Sequence, residues 1–97
     1  MSLQRFDFNQ AESLKNTLQN EANKLSEDLN RMMQKVEGVR NWWQGGSEEA
    51  FIENFRNTKE QIVRSLNQVI EDYKMLIEKI KQAKQEAESS IAQQIRG

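Results

Sequence analysis

Two kinds of side chain in this 97-residue chain could do chemistry: paired carboxylates, at Glu48/Glu49 and Glu86/Glu88, and two adjacent indoles, Trp42 and Trp43. Carboxylate pairs work as acid and base when a pocket pushes their pKa values apart. No such setting is visible around these pairs. The chain has no His and no Cys, so it lacks the commonest general base, any thiolate nucleophile and the usual zinc ligands. A catalytic triad is impossible, and no enzymatic activity, cofactor or metal is expected. Large aromatic rings at a protruding turn, by contrast, are typical anchors for a partner. Recognition is therefore the chemistry these residues point to.

The elements that must position the indoles are two helices. Three of the four glycines lie between positions 38 and 46, and there is no proline, so the chain is punctuated once. On either side it is rich in Glu, Gln, Lys, Leu and Ala, which favour helix. Before the break, Leu18, Ala22, Leu25, Leu29, Met32, Val36 and Val39 recur in alternating steps of four and three, a heptad pattern. This predicts a first helix over about 9–40, capped by Asp7 or Asn9, then a turn over about 41–46. Ser47 is the expected N-cap of a second helix over about 47–94, with Glu48 and Glu49 favourably placed in its first turn. Gly45 and Gly46 let the chain reverse.

The second helix carries an expected core stripe of Phe51, Phe55, Ile62, Leu66, Val69, Tyr73, Leu76 and Ile80, and a neighbouring stripe of Val63, Ile70 and Ile77. Three apolar positions in seven suit a bundle with neighbours on two sides. The expected fold is all-α: a helix-turn-helix hairpin of two long antiparallel helices filling residues 1–97, dimerising into a four-helix bundle. Val63, Leu66, Ile70 and Ile77 are the expected dimer contacts. About the last dozen residues of the longer second helix should overhang the hairpin. Glu27–Arg31 and Glu60–Arg64 read as surface pairs at i,i+4.

Charge and hydropathy exclude other classes. Fourteen basic residues oppose fifteen acidic ones, and they are scattered rather than clustered, which argues against a nucleic-acid surface or strong adsorption to anionic lipid. The longest apolar runs, Ala50-Phe51-Ile52 and Met75-Leu76-Ile77, are too short for a membrane span or for the apolar core of a signal peptide.

At the turn, two arrangements of the indoles are open. One Trp can fold back as a plug over Val39 and Phe51, a part that falls more naturally to Trp42 than to Trp43. Alternatively, the rings stand out as a docking feature. A Trp-x-Gly (Trp43-Gln44-Gly45) placed mid-chain between two uninterrupted helices, followed by Ser47, Ala50 and Phe51, resembles the WXG family of small type VII secretion substrates, the early-secreted-antigen-like proteins. The resemblance covers the whole chain in layout. It implies a C-terminal export signal, which takes two forms. The Tyr-x-x-x-Asp/Glu form is absent, because Ile77 stands four residues after Tyr73, the only tyrosine. In the other form, a hydrophobic residue is followed by an acidic one at +4 and hydrophobic ones at +7 and +11. Glu88, Ile91 and Ile95 match its last three positions, and Lys84 stands at the first. These three lie at i, i+3 and i+7, on one helical face, where a partner's groove could grip them. Packing of Ile91 and Ile95 on a second protomer is the competing reading.

The resemblance implies a small protein made in the cytoplasm and exported as a folded homodimer by a Gram-positive type VII system, without a cleaved signal peptide. Trp43 and Gly45 of one protomer and Glu88, Ile91 and Ile95 of the other would form a composite signal read by a membrane-bound translocating ATPase. The alternative is a cytoplasmic helical adaptor or chaperone that pairs with a larger secreted effector. A membrane-active effector is disfavoured by the low hydropathy and the lack of a basic face.

Overall fold

The computed structural model describes residues 5–96, with side-chain surroundings described as far as Glu88. Helix α1 runs Phe8–Glu37, a 3-10 turn covers Gly38–Asn41, and helix α2 runs Ser47–Arg96. The two helices form an antiparallel hairpin measuring 80 × 17 × 16 Å. The expected hairpin is therefore present, with α1 ending three residues earlier than expected. Gly38 keeps right-handed helical backbone angles (φ −64°, ψ −13°), but from there the chain tightens into 3-10 geometry, as often happens in a last turn.

Each helix start is closed by a side chain. Asp7 caps α1 by accepting the backbone N–H of Gln10 at 3.0 Å. Ser47 is the first residue of α2 rather than its cap. The Gly46 N–H is instead held by the Glu48 carboxylate, at 3.0 and 2.9 Å, a side chain reaching back over the helix start. Gly45 and Gly46 have φ of +134° and +99°. Both lie where side chains with a Cβ are strained, and this is how the chain reverses.

The seam between the helices differs from the one the heptads suggest. Its buried apolar residues are Ala11, Ala22 and Met33 from α1 and Ile52 and Ile70 from α2. The α1 positions recur every eleven residues, and those in α2 are eighteen apart. Eighteen residues make five whole turns of a straight helix, and eleven drift about 20° per repeat in the sense opposite to a heptad, so both rows part from a heptad stripe. Leu25 and Met32, at heptad spacing from Leu18, have accordingly rotated out to half-exposure. So have Phe51, Ile62, Val69, Tyr73, Leu76 and Ile80 of α2.

The two expected stripes of α2 are thus exchanged. Ile70 is buried inside the hairpin, and Val63, Leu66 and Ile77 are half-buried. Of the four, Ile70 is unavailable to a second protomer. The apolar side chains left facing outward belong to the stripe expected to form the core.

The seam changes character along its length. At the turn it is apolar: Met33, Val39 and Ile52 form a cluster, with Val36, Trp43 and Phe55 packed against it. Toward the chain ends it is ionic. Lys15 Nζ donates to Glu78 at 2.9 Å and lies 3.0 Å from Glu12, while Lys81 Nζ donates to Glu12 at 2.6 Å. Next along, Lys74 Nζ donates to Gln19 at 3.1 Å. The lysine stems fill the seam and their ammonium groups reach its edge. On the outer surface, Arg31 pairs with Asp28 rather than with Glu27.

Candidate functional site

The turn is held by short-range bonds that separate the fates of the two indoles. The amides of Trp42 and Trp43 both donate to the Val39 carbonyl, at 3.0 and 2.8 Å. From there Trp43 folds inward. Its ring packs on the Met33–Val39–Ile52 cluster, sits 5.3 Å from Phe51 between centroids, and donates its indole N–H to Ser47 Oγ at 3.1 Å. Trp42 stays 74% exposed, its ring stacked on Trp43 at 6.1 Å. The turn does have a plug, but Trp43 supplies it and Trp42 projects, the reverse of the sequence expectation. The reason is spacing: Trp43 lies four residues before Ser47 and can reach across the two glycines.

The carboxylates near the turn are structural. Arg40 spans the turn to Glu49 through two hydrogen bonds, 2.7 and 3.0 Å long. The guanidinium holds the Glu49 carboxyl below its ordinary value of 4.5. Glu48 is committed to the Gly46 amide. The two acids of this pair thus serve separate partners and do not face a common proton. Among the described residues no cluster of acidic side chains could hold a metal, and no helix is long and apolar enough to cross a membrane.

The second half of the expected site lies on the far end of α2. Pairing of Lys15 with Glu78 and of Glu12 with Lys81 places Phe8 level with about residue 85. Beyond that level α2 continues to Arg96 with no α1 beside it, for about 16 Å. Glu88 lies on this overhang and is exposed. Ile91 and Ile95 are on the same helix, but their side-chain surroundings lie outside the described residues. Within one chain the overhang and the turn are at opposite ends, so the structure does not bring Trp43 and Gly45 together with Glu88, Ile91 and Ile95.

Sequence reasoning missed Ile52, the most deeply buried large side chain among the described residues, at 1% exposure. Its signal was available in its eighteen-residue spacing from Ile70, and Phe51 beside it drew the heptad reading away. The Arg40–Glu49 bridge and the Glu12–Lys15–Glu78–Lys81 cluster were also missed, because nine- and sixty-odd-residue separations carry no local pattern.

No curated protein and no solved structure matches the chain significantly. A family model does: WXG100, described as proteins of 100 residues with WXG, matches residues 5–90. The match spans both helices and the Trp43-Gln44-Gly45 turn between them, so this chain belongs to the WXG100 family, whose members are small proteins associated with type VII secretion.

Proposed function

We propose that the protein is a substrate of a Gram-positive type VII secretion system, exported folded as a homodimer and read by the system's translocating ATPase. The observation that carries this reading is the family match across residues 5–90 on a chain whose Trp-x-Gly turn is rigidly built. In the proposed signal, Trp43 and Gly45 of one protomer stand beside Glu88, Ile91 and Ile95 of the other. Two features support it. The turn fixes its backbone through the Val39 carbonyl and two positive-φ glycines. The overhang of α2 leaves its last turns without cover from their own chain. Energy coupling lies in the ATPase, since this chain supplies recognition alone.

The test is export. Trp43→Ala, or deletion of residues 88–97, is expected to abolish the protein in culture medium while it accumulates in cells. Because Trp43 also plugs the turn, Trp42→Ala serves as the companion variant, with the fold left intact. Unchanged export of the Trp43→Ala and tail-deleted chains overturns the proposal. The adaptor reading is separated by sizing of the purified chain: a stable homodimer disfavours an obligate heteropartner.

A further inference from the structure

The two indoles at the turn are not equivalent as contacts. Trp43 is committed inward: its ring packs on Met33, Val39 and Ile52, lies against Phe51 and gives its only N–H to Ser47. Trp42 has no such commitment and is the most exposed large apolar side chain among the described residues. A single exposed apolar side chain is ordinary on a protein surface. Trp42 differs in being held in place. Its amide donates to the Val39 carbonyl at 3.0 Å, its backbone sits at φ −135°, ψ −1° as the cap of the 3-10 turn, and one face of its ring stacks on Trp43 with the planes 27° apart. The outer face is free, and no described group accepts its N–H.

The charges around this ring define what it can meet. From Gly38 to Ser47 the only charged side chain is Arg40, and its guanidinium is spent on both oxygens of Glu49. No free cation stands beside Trp42 in the turn. Phosphate backbones and anionic lipid surfaces are bound through cations, so neither suits this ring. What remains is a neutral, flat apolar face of about 150–200 Å² tipped with one donor. Clefts in protein partners take such a group, and tryptophans seated in desolvated pockets dominate the energy of many interfaces. Because the ring is already fixed by its stack and its backbone bond, docking costs it little conformational freedom.

We infer that Trp42 is the ring the export partner grips, in a neutral apolar slot one indole wide whose wall carries a carbonyl or carboxylate oxygen for the indole N–H. Trp43, inside the Trp-x-Gly, is then a positioning residue: it braces the inner face of Trp42 and fixes the turn, and it is not itself touched. The inference rests on the export reading of the proposed function and adds which of the two rings is read. A chain that keeps Trp43-Gln44-Gly45 but lacks Trp42 keeps the turn and loses the contact.

The chain has two tryptophans, so Trp43→Phe leaves Trp42 as the sole indole fluorophore and Trp42→Phe leaves Trp43. In the free full-length chain, iodide is expected to quench Trp42 and to spare Trp43. On mixing with the detergent-solubilised translocating ATPase, Trp42 emission should shift to the blue and lose its quenching. Trp42→Ala is expected to weaken binding to the ATPase at least about 30-fold and to cut export with it, while the unfolding midpoint and the sedimentation mass stay as in the parent chain. Trp42→Phe, which keeps a ring face and lacks the donor, should recover part of that loss. Trp43→Phe, which keeps the plug, is expected to change binding by less than about threefold. Deletion of residues 88–97 separates the two readings. If it stops export while Trp42→Ala binds and exports as the parent chain does, the inference falls and the export reading stands; export unchanged by both removes both. If Trp42→Ala lowers the sedimentation mass, or if Trp42 is already shielded from iodide in the free chain, the ring serves the chain's own assembly and the inference falls. Shielding of Trp42 by phosphatidylglycerol vesicles and not by the ATPase also overturns it.

Discussion

The indole N–H of Trp43 donates to Ser47 Oγ at 3.1 Å, closing a ring of side chain and backbone across Gln44, Gly45 and Gly46. This bond ties the last residue before α2 with a place in the apolar cluster to the first residue of α2. It makes the turn part of the core and not a loop hung on its end. The neighbouring indole has no such bond, and the two rings should respond differently to loss.

Trp43→Ala is expected to cost about 2–3 kcal/mol of stability, somewhat under the cost for a fully buried Trp because the ring is half-buried. Trp42→Ala is expected to change stability by less than about 0.5 kcal/mol. Urea unfolding followed by circular dichroism distinguishes them. Equal losses would show that the exposed ring carries packing energy that its surroundings do not explain.

Gly45 is required by its backbone and not by crowding. A Cβ built there meets nothing within 4 Å, but φ is +134°. Gly45→Ala is expected to cost about 1–3 kcal/mol through strain alone. By contrast, Gly38→Ala, at ordinary helical angles and with equally open space, is expected to be neutral or to gain up to about 1 kcal/mol. Thermal unfolding of the two variants gives the comparison.

Ile52 and Val69 lie on the same helix and report on different interfaces. Ile52→Ala is expected to cost about 3–4 kcal/mol within the hairpin, where the side chain is sealed. Val69→Ala should cost little in a single hairpin. If the second copy covers it, its cost appears as a concentration-dependent fall in Tm. Melting curves across a hundredfold range of protein concentration are the measurement.

Acid should act first on the chain-end half of the seam. Hydrogen bonds from Lys81 and then Lys15 hold the Glu12 carboxyl below its ordinary 4.5, and Lys15 does the same for Glu78. Groups whose folded pKa is depressed stabilise the fold fully above the unfolded value. The contribution of this cluster is therefore complete above about pH 4.5 and is lost as pH falls through the lower folded values. Lys15 is raised, by Glu78 first and then Glu12, so its share is lost only as pH rises through a value above its ordinary 10.5. Amide exchange should show the segment around Glu12 and Glu78 opening in acid before the segment around Ile52. A Glu12→Gln/Glu78→Gln chain should show a shallower fall in Tm with acid.

The hairpin, its reversal at Gly45-Gly46 and the all-helical class were legible in the sequence because glycine placement and helix-forming composition are local signals. Which stripe of α2 would face α1 was not. Heptad spacing runs through Ile62, Val69 and Leu76, while the buried residues Ile52 and Ile70 keep the straight-helix interval. Two apolar patterns about 80° apart coexist on one helix, and periodicity alone does not say which neighbour each one serves. The parts exchanged between Trp42 and Trp43 were illegible for a similar reason. Adjacent identical residues differ only in reach, and reach depends on the 3-10 turn that ends α1. Lys15 and Lys81 read as surface residues, since nothing in composition marks a lysine stem that fills a seam.

The slenderness of the molecule has a consequence for transit. A globule of the same chain length has a radius of gyration of about 12–13 Å and is about 32 Å across, whereas this hairpin, at 22.6 Å, is longer but only 17 Å thick. Two such hairpins side by side still make a body far longer than it is thick, so a folded homodimer presents a narrow end to a conduit, and end-on passage would need orientation and no unfolding.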